Sequence, residues 1–148
     1  LAKLAEVELS VKVIENALED CISAFDGFGR ELCKINSKKS KYPEKINKIS
    51  FQNLGGAQEG IKNHFEFDLT AGIDNDEWRV ANISFQKRHL LAHKMGIIDE
   101  EYVKRSGDTT AIIGRKIVIT SEDVVRLIPI IEKLAGFLVT SMDNVSVK

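Results

Sequence analysis

The sequence predicts an all-α fold: an antiparallel helical bundle of about four main helices, with a small β-hairpin before the last helix. Three observations support this prediction. First, 148 residues with 43% hydrophobic content are enough for a single domain, residues 1–148, around one core. Second, apolar residues recur at spacings of three and four along most of the chain. Third, a short stretch before the last helix is rich in β-branched residues on both sides of a Gly-Arg pair.

The first element is a long amphipathic helix from about Ala2 to Ile35. Its apolar positions alternate spacings of three and four without a break, which is a helical stripe. The stripe consists of Leu4, Val7, Val11, Ile14, Leu18, Cys21, Phe25, Phe28, Leu32 and Ile35. Such a stripe serves either as the buried face of a bundle or as a coiled-coil seam, and the pattern leaves both uses open. Gly27 and Gly29 each lower helix propensity by about 1 kcal/mol relative to Ala, which favours a bend or a close approach there.

A basic loop and a second helix follow. The loop from Lys34 to Lys48 carries six lysines against a single acidic residue, Glu44, and its serines and proline interrupt regular structure. It is expected to be an exposed, solvated loop, with a contact to a phosphate backbone as the alternative. From Ser50 to Phe65 apolar residues again recur at helical spacing, which predicts the second helix.

The third helix is predicted from about Asp76 to Lys94. Asp74 followed three residues later by Glu77 is a capping-box pattern at its start, and Gly96 supplies the stop signal at its end. The segment is apolar on more than one side, so this helix is expected to be central. A loop containing Tyr102 is expected to follow it.

The last two elements are a hairpin and a helix. The β-branched stretches Thr109 to Ile113 and Lys116 to Thr120 flank Gly114-Arg115, a pair suited to a two-residue type II′ turn. Thr120 or Ser121 is then expected to cap a final helix whose first turn is acidic, which suits the positive end of the helix dipole.

Composition narrows the function classes. The chain has 21 Lys and Arg against 22 Asp and Glu, a net charge of -1, so no global field attracts nucleic acid or membrane, and any anion site must be local. Two cysteines, Cys21 and Cys33, without CxxC spacing exclude a disulfide scaffold and fit a reducing cytoplasm. No uncharged apolar run approaches the roughly 18 residues needed to span a bilayer, and no basic-then-apolar leader opens the chain, so neither a membrane span nor secretion is expected. The sequence begins at Leu1 rather than Met, which fits a segment of a longer protein.

One cluster of side chains, in the predicted third helix, has residue types that are suited to catalysis. The third helix contains Lys87, Arg88, His89, His93 and Lys94 within two turns, which is unusual for a helix that otherwise looks buried. At about 100° per residue, His89 and His93 share a face. Arg88 and His93 diverge by roughly 140°, but the long arginine side chain can bend toward a ligand shared with the histidines.

Three interpretations of this cluster compete. Arg88 and the histidines could make buried hydrogen bonds that fix helix packing. His89 and His93 could bind zinc, although no Glu follows His89 as in the HExxH pattern and Arg88 would repel a dication. The third interpretation is phosphate chemistry, in which Arg88 donates to a phosphoryl oxygen and His93 exchanges protons near neutral pH.

The order of these residues resembles the HEPN superfamily. Arg88, a polar residue and, after three more positions, His93 lie near the end of an inner helix, and Arg-His-Leu-Leu-Ala-His is followed by Gly-Ile-Ile-Asp-Glu-Glu-Tyr and Ser-Gly-Asp. Members of this superfamily occur in prokaryotic defence systems. The resemblance covers about Asp74 to Phe137 and extends to the first helices in outline.

The resemblance implies an endoribonuclease that needs no metal or other cofactor and works as a homodimer with RNA in the cleft between two copies. Arg88 would match the family's arginine, His93 its catalytic histidine and His89 its intervening polar residue. Because His89 is itself titratable, the roles of acid and base stay open. RNA would be held mainly by its backbone, through Lys87, Lys94, Lys104 and Arg105. An antitoxin or partner domain is a further expected partner, and the alternative is a catalytically inactive dimerisation or RNA-binding module.

Overall fold

The computed structural model describes residues 2–148, and these form five α-helices joined by loops and short 3-10 helices. The α-helices are α1 (Ala2–Ile35), α2 (Leu54–Phe65), α3 (Asn75–His93), α4 (Glu100–Ser106) and α5 (Ser121–Asn144). The 3-10 helices are Ser37–Lys39, Pro43–Lys48 and Leu69–Gly72. The predicted all-α class is therefore confirmed, and the four main predicted helices correspond to α1, α2, α3 and α5.

α1 has the predicted bounds, but only part of it lies in the bundle. Leu18, Ile22 and Phe25 are buried, whereas every residue from 2 to 13 is exposed. Gly29 lies against the ring of Phe51: a Cβ atom added to it would be 2.5 Å from the ring. The helix runs without interruption through this glycine, so the sequence signal marks a close approach and no break.

Two contacts show that α3 runs antiparallel to α1. The rings of Phe25 and Phe85 meet edge to face with centroids 6.1 Å apart. One turn further along α3, Arg88 pairs with Glu19, which lies earlier in α1. The carboxyl end of α3 therefore points toward the exposed first part of α1.

α5 runs antiparallel to α3 and hence parallel to α1. Lys133 pairs with Glu77 near the start of α3, and Lys87 approaches Asp123 near the start of α5. The start of α5 is fixed by a capping box, in which Thr120 Oγ1 accepts from the Asp123 amide and the Asp123 carboxylate accepts from the Thr120 amide. The predicted cap of the last helix is thus confirmed at Thr120.

α3 begins with the predicted capping box. Asp74 accepts from the Glu77 amide at 2.8 Å, and Glu77 accepts in return from the Asp74 amide at 3.2 Å. At the other end the chain leaves the helix through Met95 and Gly96, both with positive φ, and the Gly96 amide donates to the carbonyl of Leu90. The capping box and the glycine stop that the sequence predicts for this helix are therefore both confirmed.

The predicted β-hairpin is wrong, since residues 2–148 contain no β-strand and a single isolated bridge, between Ile97 and Lys116. Gly114 does adopt a positive φ, but it is the third residue of a turn closed by Ile112 and Arg115, as in a type II turn. That turn type splays its flanking segments, so they do not pair with each other. They bond instead to the segment after α3: Ile98 exchanges backbone hydrogen bonds with Gly114 and Arg115.

The loop predicted around Tyr102 is also wrong, because this segment forms α4. Asp99 caps the helix by accepting from the Tyr102 amide at 2.8 Å, and Gly107 ends it with φ 67°. Tyr102 is buried and packs with Leu90, Ile98 and Ile117 in a small core of its own. α4 thereby covers the second half of α3.

The main core joins the four longer helices. It is built from Leu18, Ile22, Phe25, Phe51, Leu54, Ala57, Ile61, Phe65, Ala81, Phe85, Leu127, Leu134, Leu138 and Met142, among others. Within residues 2–148, no helix combines the length and apolar content that a membrane crossing requires.

Candidate active site

The predicted cluster occupies the carboxyl-terminal half of α3. Arg88 and His89 are half-buried, and His93, in the last turn, is exposed. α1 contacts this half of the helix at Arg88, and α4 packs against it at Leu90. The three predicted catalytic side chains are therefore divided between two different surroundings.

Arg88 is turned toward α1, where it binds Glu19. Its Nε donates to Glu19 Oε2 at 2.9 Å and its Nη2 to Oε1 at 3.2 Å, a bidentate ion pair. The side chain of Arg88 is 11% exposed and that of Glu19 is 43% exposed, so the pair lies at the edge of the core. The hydrogen bond from Arg88 holds the pKa of Glu19 below its usual value.

Sequence analysis did not single out Glu19. The available signal was its position beside Leu18, at the margin of the apolar stripe of α1, where a carboxylate is placed to meet a cation from a neighbouring helix. Nothing in the sequence fixes which cation that is, because the partner lies 69 residues away.

His89 and His93 are brought together, as the helical spacing predicts. Their ring centroids are 4.8 Å apart and the ring planes are inclined by 53°. Burial lowers the pKa of His89 and the charge of His93 lowers it further, while Glu101 of α4 raises it. The neutral form of His89 is thereby favoured, and a neutral imidazole can accept a proton.

The four predicted RNA-binding cations differ in their surroundings. Lys87 is 17% exposed and its Nζ donates to the Val118 carbonyl at 2.9 Å, which ties α3 to the segment before α5. Arg105 pairs with Glu101 at 2.8 Å on the surface of α4. Lys94 and Lys104 are exposed and form no ion pair within residues 2–148. Within residues 2–148, these last two are the exposed cations of the set that no carboxylate pairs with.

Part of the basic loop is also engaged within the chain. Lys39 donates to the carbonyl of Met142 at 2.8 Å, and Lys41 pairs with Glu66 at 2.8 Å. The loop lies at the carboxyl end of α1, whereas α3 ends toward the amino end of α1. The loop and the histidine pair are thus at opposite ends of the bundle.

Within residues 2–148, no third protein ligand joins His89 and His93 to complete the zinc site considered above. Across the described part of the chain, no group of three or more His, Cys, Asp or Glu side chains is arranged to hold a metal ion. His89 and His93 therefore stand as a pair of imidazoles without the further protein ligand that a typical zinc site contains.

Comparison with protein-family models, with curated proteins and with solved structures finds no match for this chain.

Proposed function

We propose that the protein is a HEPN-type endoribonuclease that cleaves RNA by attack of the 2′-hydroxyl, without a metal, in a defence or toxin context. The observation that carries the proposal is the pair of adjacent imidazoles, His89 and His93, in the same half of α3 as a guanidinium that Glu19 holds in place. RNA contains its own nucleophile, so cleavage requires a proton acceptor, a proton donor and a positive charge near the phosphate.

The geometry allows a division of roles within one protomer. Burial and the neighbouring His93 both favour the neutral form of His89, which suits His89 to accept a proton and leaves the more exposed His93 as the donor. Neutral His89 accepts the proton of the 2′-hydroxyl as the 2′-oxygen bonds to phosphorus. Protonated His93 donates to the 5′-oxygen as the P–O5′ bond breaks. The products are a 2′,3′-cyclic phosphate and a 5′-hydroxyl.

Arg88 supplies the positive charge. Glu19 takes two of its five N–H donors and fixes the plane of the guanidinium, so a phosphate contact would have to use the remaining three, on a side chain that is 11% exposed. The exposed Lys94 and Lys104 add charge for the RNA backbone. Both cysteines are free thiols, which suits the reducing cytoplasm in which we place the protein.

His93→Ala is the decisive variant, because His93 is exposed and its loss leaves the core intact. We expect cleavage of a labelled RNA to fall by about 10²-fold or more, the usual contribution of a general acid or base. Wild-type cleavage should proceed in EDTA, and mass spectrometry of the cut ends should find the cyclic phosphate. The matched control is His64→Asn, which changes a histidine of α2 and should cleave like the wild type.

Three outcomes would contradict the nuclease. They are a 5′-phosphate product, a strict metal requirement, and equal cleavage by wild-type protein and His93→Ala. Arg88→Ala is a weaker test, because Arg88 also anchors α3 to α1 and its loss perturbs the fold as well as any phosphate contact.

The engagement of Arg88 by Glu19 favours a second candidate, a catalytically inactive dimerisation or RNA-binding module. In that case RNA binds without being cut, and the affinity falls with salt in proportion to the number of phosphate contacts. Gel-shift titrations of RNA at several salt concentrations, run beside the cleavage assay, separate the two candidates. Binding without cleavage supports the module, and a cyclic-phosphate product supports the enzyme.

A further inference from the structure

The first part of α1 presents an apolar stripe that no other segment of residues 2–148 covers. Leu4, Val7 and Val11 have exposures of 62%, 59% and 44%, and Ile14 is half-buried. The next member of the stripe, Leu18, is 1% exposed. One continuous stripe therefore begins in solvent and continues into the core, and about three helical turns project beyond the bundle.

The exposed portion has the spacing of a coiled-coil seam. With Leu4 and Val11 at a positions, Val7 and Ile14 fall at d positions, the alternation that lets one helix interlock with another. In this register Lys3 is a g position, and Glu8 and Glu15 are e positions. Charges at e and g flank the seam and determine the orientation of the partner helix.

We propose that this stripe binds the same stripe of a second copy of this chain, as a parallel, in-register, two-stranded coiled coil. Charge selects this occupant and its orientation. In a parallel pair, Lys3 of each copy faces Glu8 of the other, an attraction made twice. In an antiparallel pair, e positions face each other and Glu8 meets Glu15, which is repulsive.

The pairing has a consequence for the histidine cluster. Because α3 runs antiparallel to α1, with Arg88 level with Glu19, its last turn points toward the projecting part of α1. A parallel pair of α1 helices therefore brings both copies of His89 and His93 to the same end of the dimer. This consequence rests on the proposed function, whereas the pairing itself stands on α1 alone.

The first test is the oligomeric state of the full chain, measured without RNA by sedimentation equilibrium. We expect a dimer whose population rises with concentration, and a monomer for Val11→Lys. Val13→Lys is the matched control: it makes the same change on an exposed residue two positions away, off the seam, and should remain dimeric. A monomeric wild type at about 100 µM would leave the stripe to a different partner and overturn the proposal.

The second test concerns orientation and does not touch the apolar residues. Lys3→Glu and Glu8→Lys should each weaken the dimer by roughly two- to tenfold, as expected for two exposed ion pairs, and the double exchange should restore it. Lys12→Glu, a charge change at an outward position, should have no effect. Stronger association by Glu8→Lys alone would indicate the antiparallel arrangement and overturn the proposal.

The number of copies is decided by the same sedimentation data. Leu4 at an a position and β-branched Val7 and Ile14 at d positions are closer to the pattern of three- and four-stranded coiled coils than to that of dimers, so the number of copies is a stringent test of the twofold pairing. A trimer or tetramer would overturn the twofold pairing. A dimer that binds and cuts no RNA would support the pairing and overturn only the nuclease proposal.

Discussion

The side chain of Arg88 holds α3 against α1 within one protomer. Its methylene stem and guanidinium lie at the edge of the core, and the bidentate pair with Glu19 joins α3 to α1. The two partners are not equivalent. Loss of Glu19 leaves a largely buried positive charge without a partner, whereas loss of Arg88 leaves a half-exposed carboxylate that water can solvate.

This asymmetry predicts an order of stabilities. Glu19→Ala should lower the free energy of unfolding by about 2 kcal/mol, because it strands the guanidinium. Arg88→Met, which keeps the apolar stem, should cost less than about 1 kcal/mol, and the double variant should resemble Arg88→Met alone. Urea denaturation of the wild type, the two single variants and the double variant measures the four free energies of unfolding that this comparison requires. A larger loss for Arg88→Met than for Glu19→Ala would contradict this account of the pair.

Within α1, two glycines that are only two positions apart lie in opposite environments. Gly27 faces solvent, and a Cβ atom there would meet nothing within 4 Å. Gly29 is buried against Phe51, whose ring is itself fully buried and so has little room to move. The sequence marks both glycines equally, and only the packing of α1 on the segment before α2 separates them.

A pair of substitutions tests this difference. Gly27→Ala should stabilise the protein by up to about 1 kcal/mol, since alanine is the better helix former at an open position. Gly29→Ala should destabilise it by about 1–3 kcal/mol, because the added methyl group overlaps the ring of Phe51. Thermal denaturation followed by circular dichroism measures both. Equal effects of the two substitutions would contradict the close approach at Gly29.

The two segments that sequence analysis misjudged share a cause. α4 has only seven residues, too few for a periodic signal, and its cap at Asp99 and its stop at Gly107 were not identified from the sequence. The predicted hairpin failed because the pairing partner of its segments is distant: the residues around Gly114 bond to Ile98, in the turn between α3 and α4. Local patterns predict turns and caps, but they do not choose between competing partners.

The whole molecule should lose stability as the pH falls, in two stages. His64 is buried, its Nδ1 lies 2.7 Å from Ser40 Oγ, and burial lowers its pKa, an effect that Glu44 opposes and Lys45 reinforces. Burial lowers the pKa of His89 as well. Below about pH 6.5 the unfolded chain therefore binds protons that the folded protein does not, and folding becomes less favourable.

His64→Asn tests the first stage, because the asparagine side chain can keep the bond to Ser40 but does not titrate. The free energy of unfolding should be flat above about pH 7 and should fall less steeply between pH 6.5 and 5 in the variant than in the wild type. Below about pH 4.5 both should lose further stability, since the lysines beside Glu66 lower its pKa to about 2. Identical curves between pH 6.5 and 5 would contradict a role for His64.

Residue spacing along the chain was enough to predict the helical class, the bounds of α1, the caps of α3 and α5 and the shared face of His89 and His93. These features depend on neighbours within about a turn, so the local spacing of residue types is sufficient to specify them. Three other features are set by packing between distant segments: Arg88 turns to Glu19, α4 covers α3, and the apolar stripe of α1 enters the core at Leu18. Each depends on a contact distant along the chain, or on where the bundle ends, and spacing along the sequence carries neither.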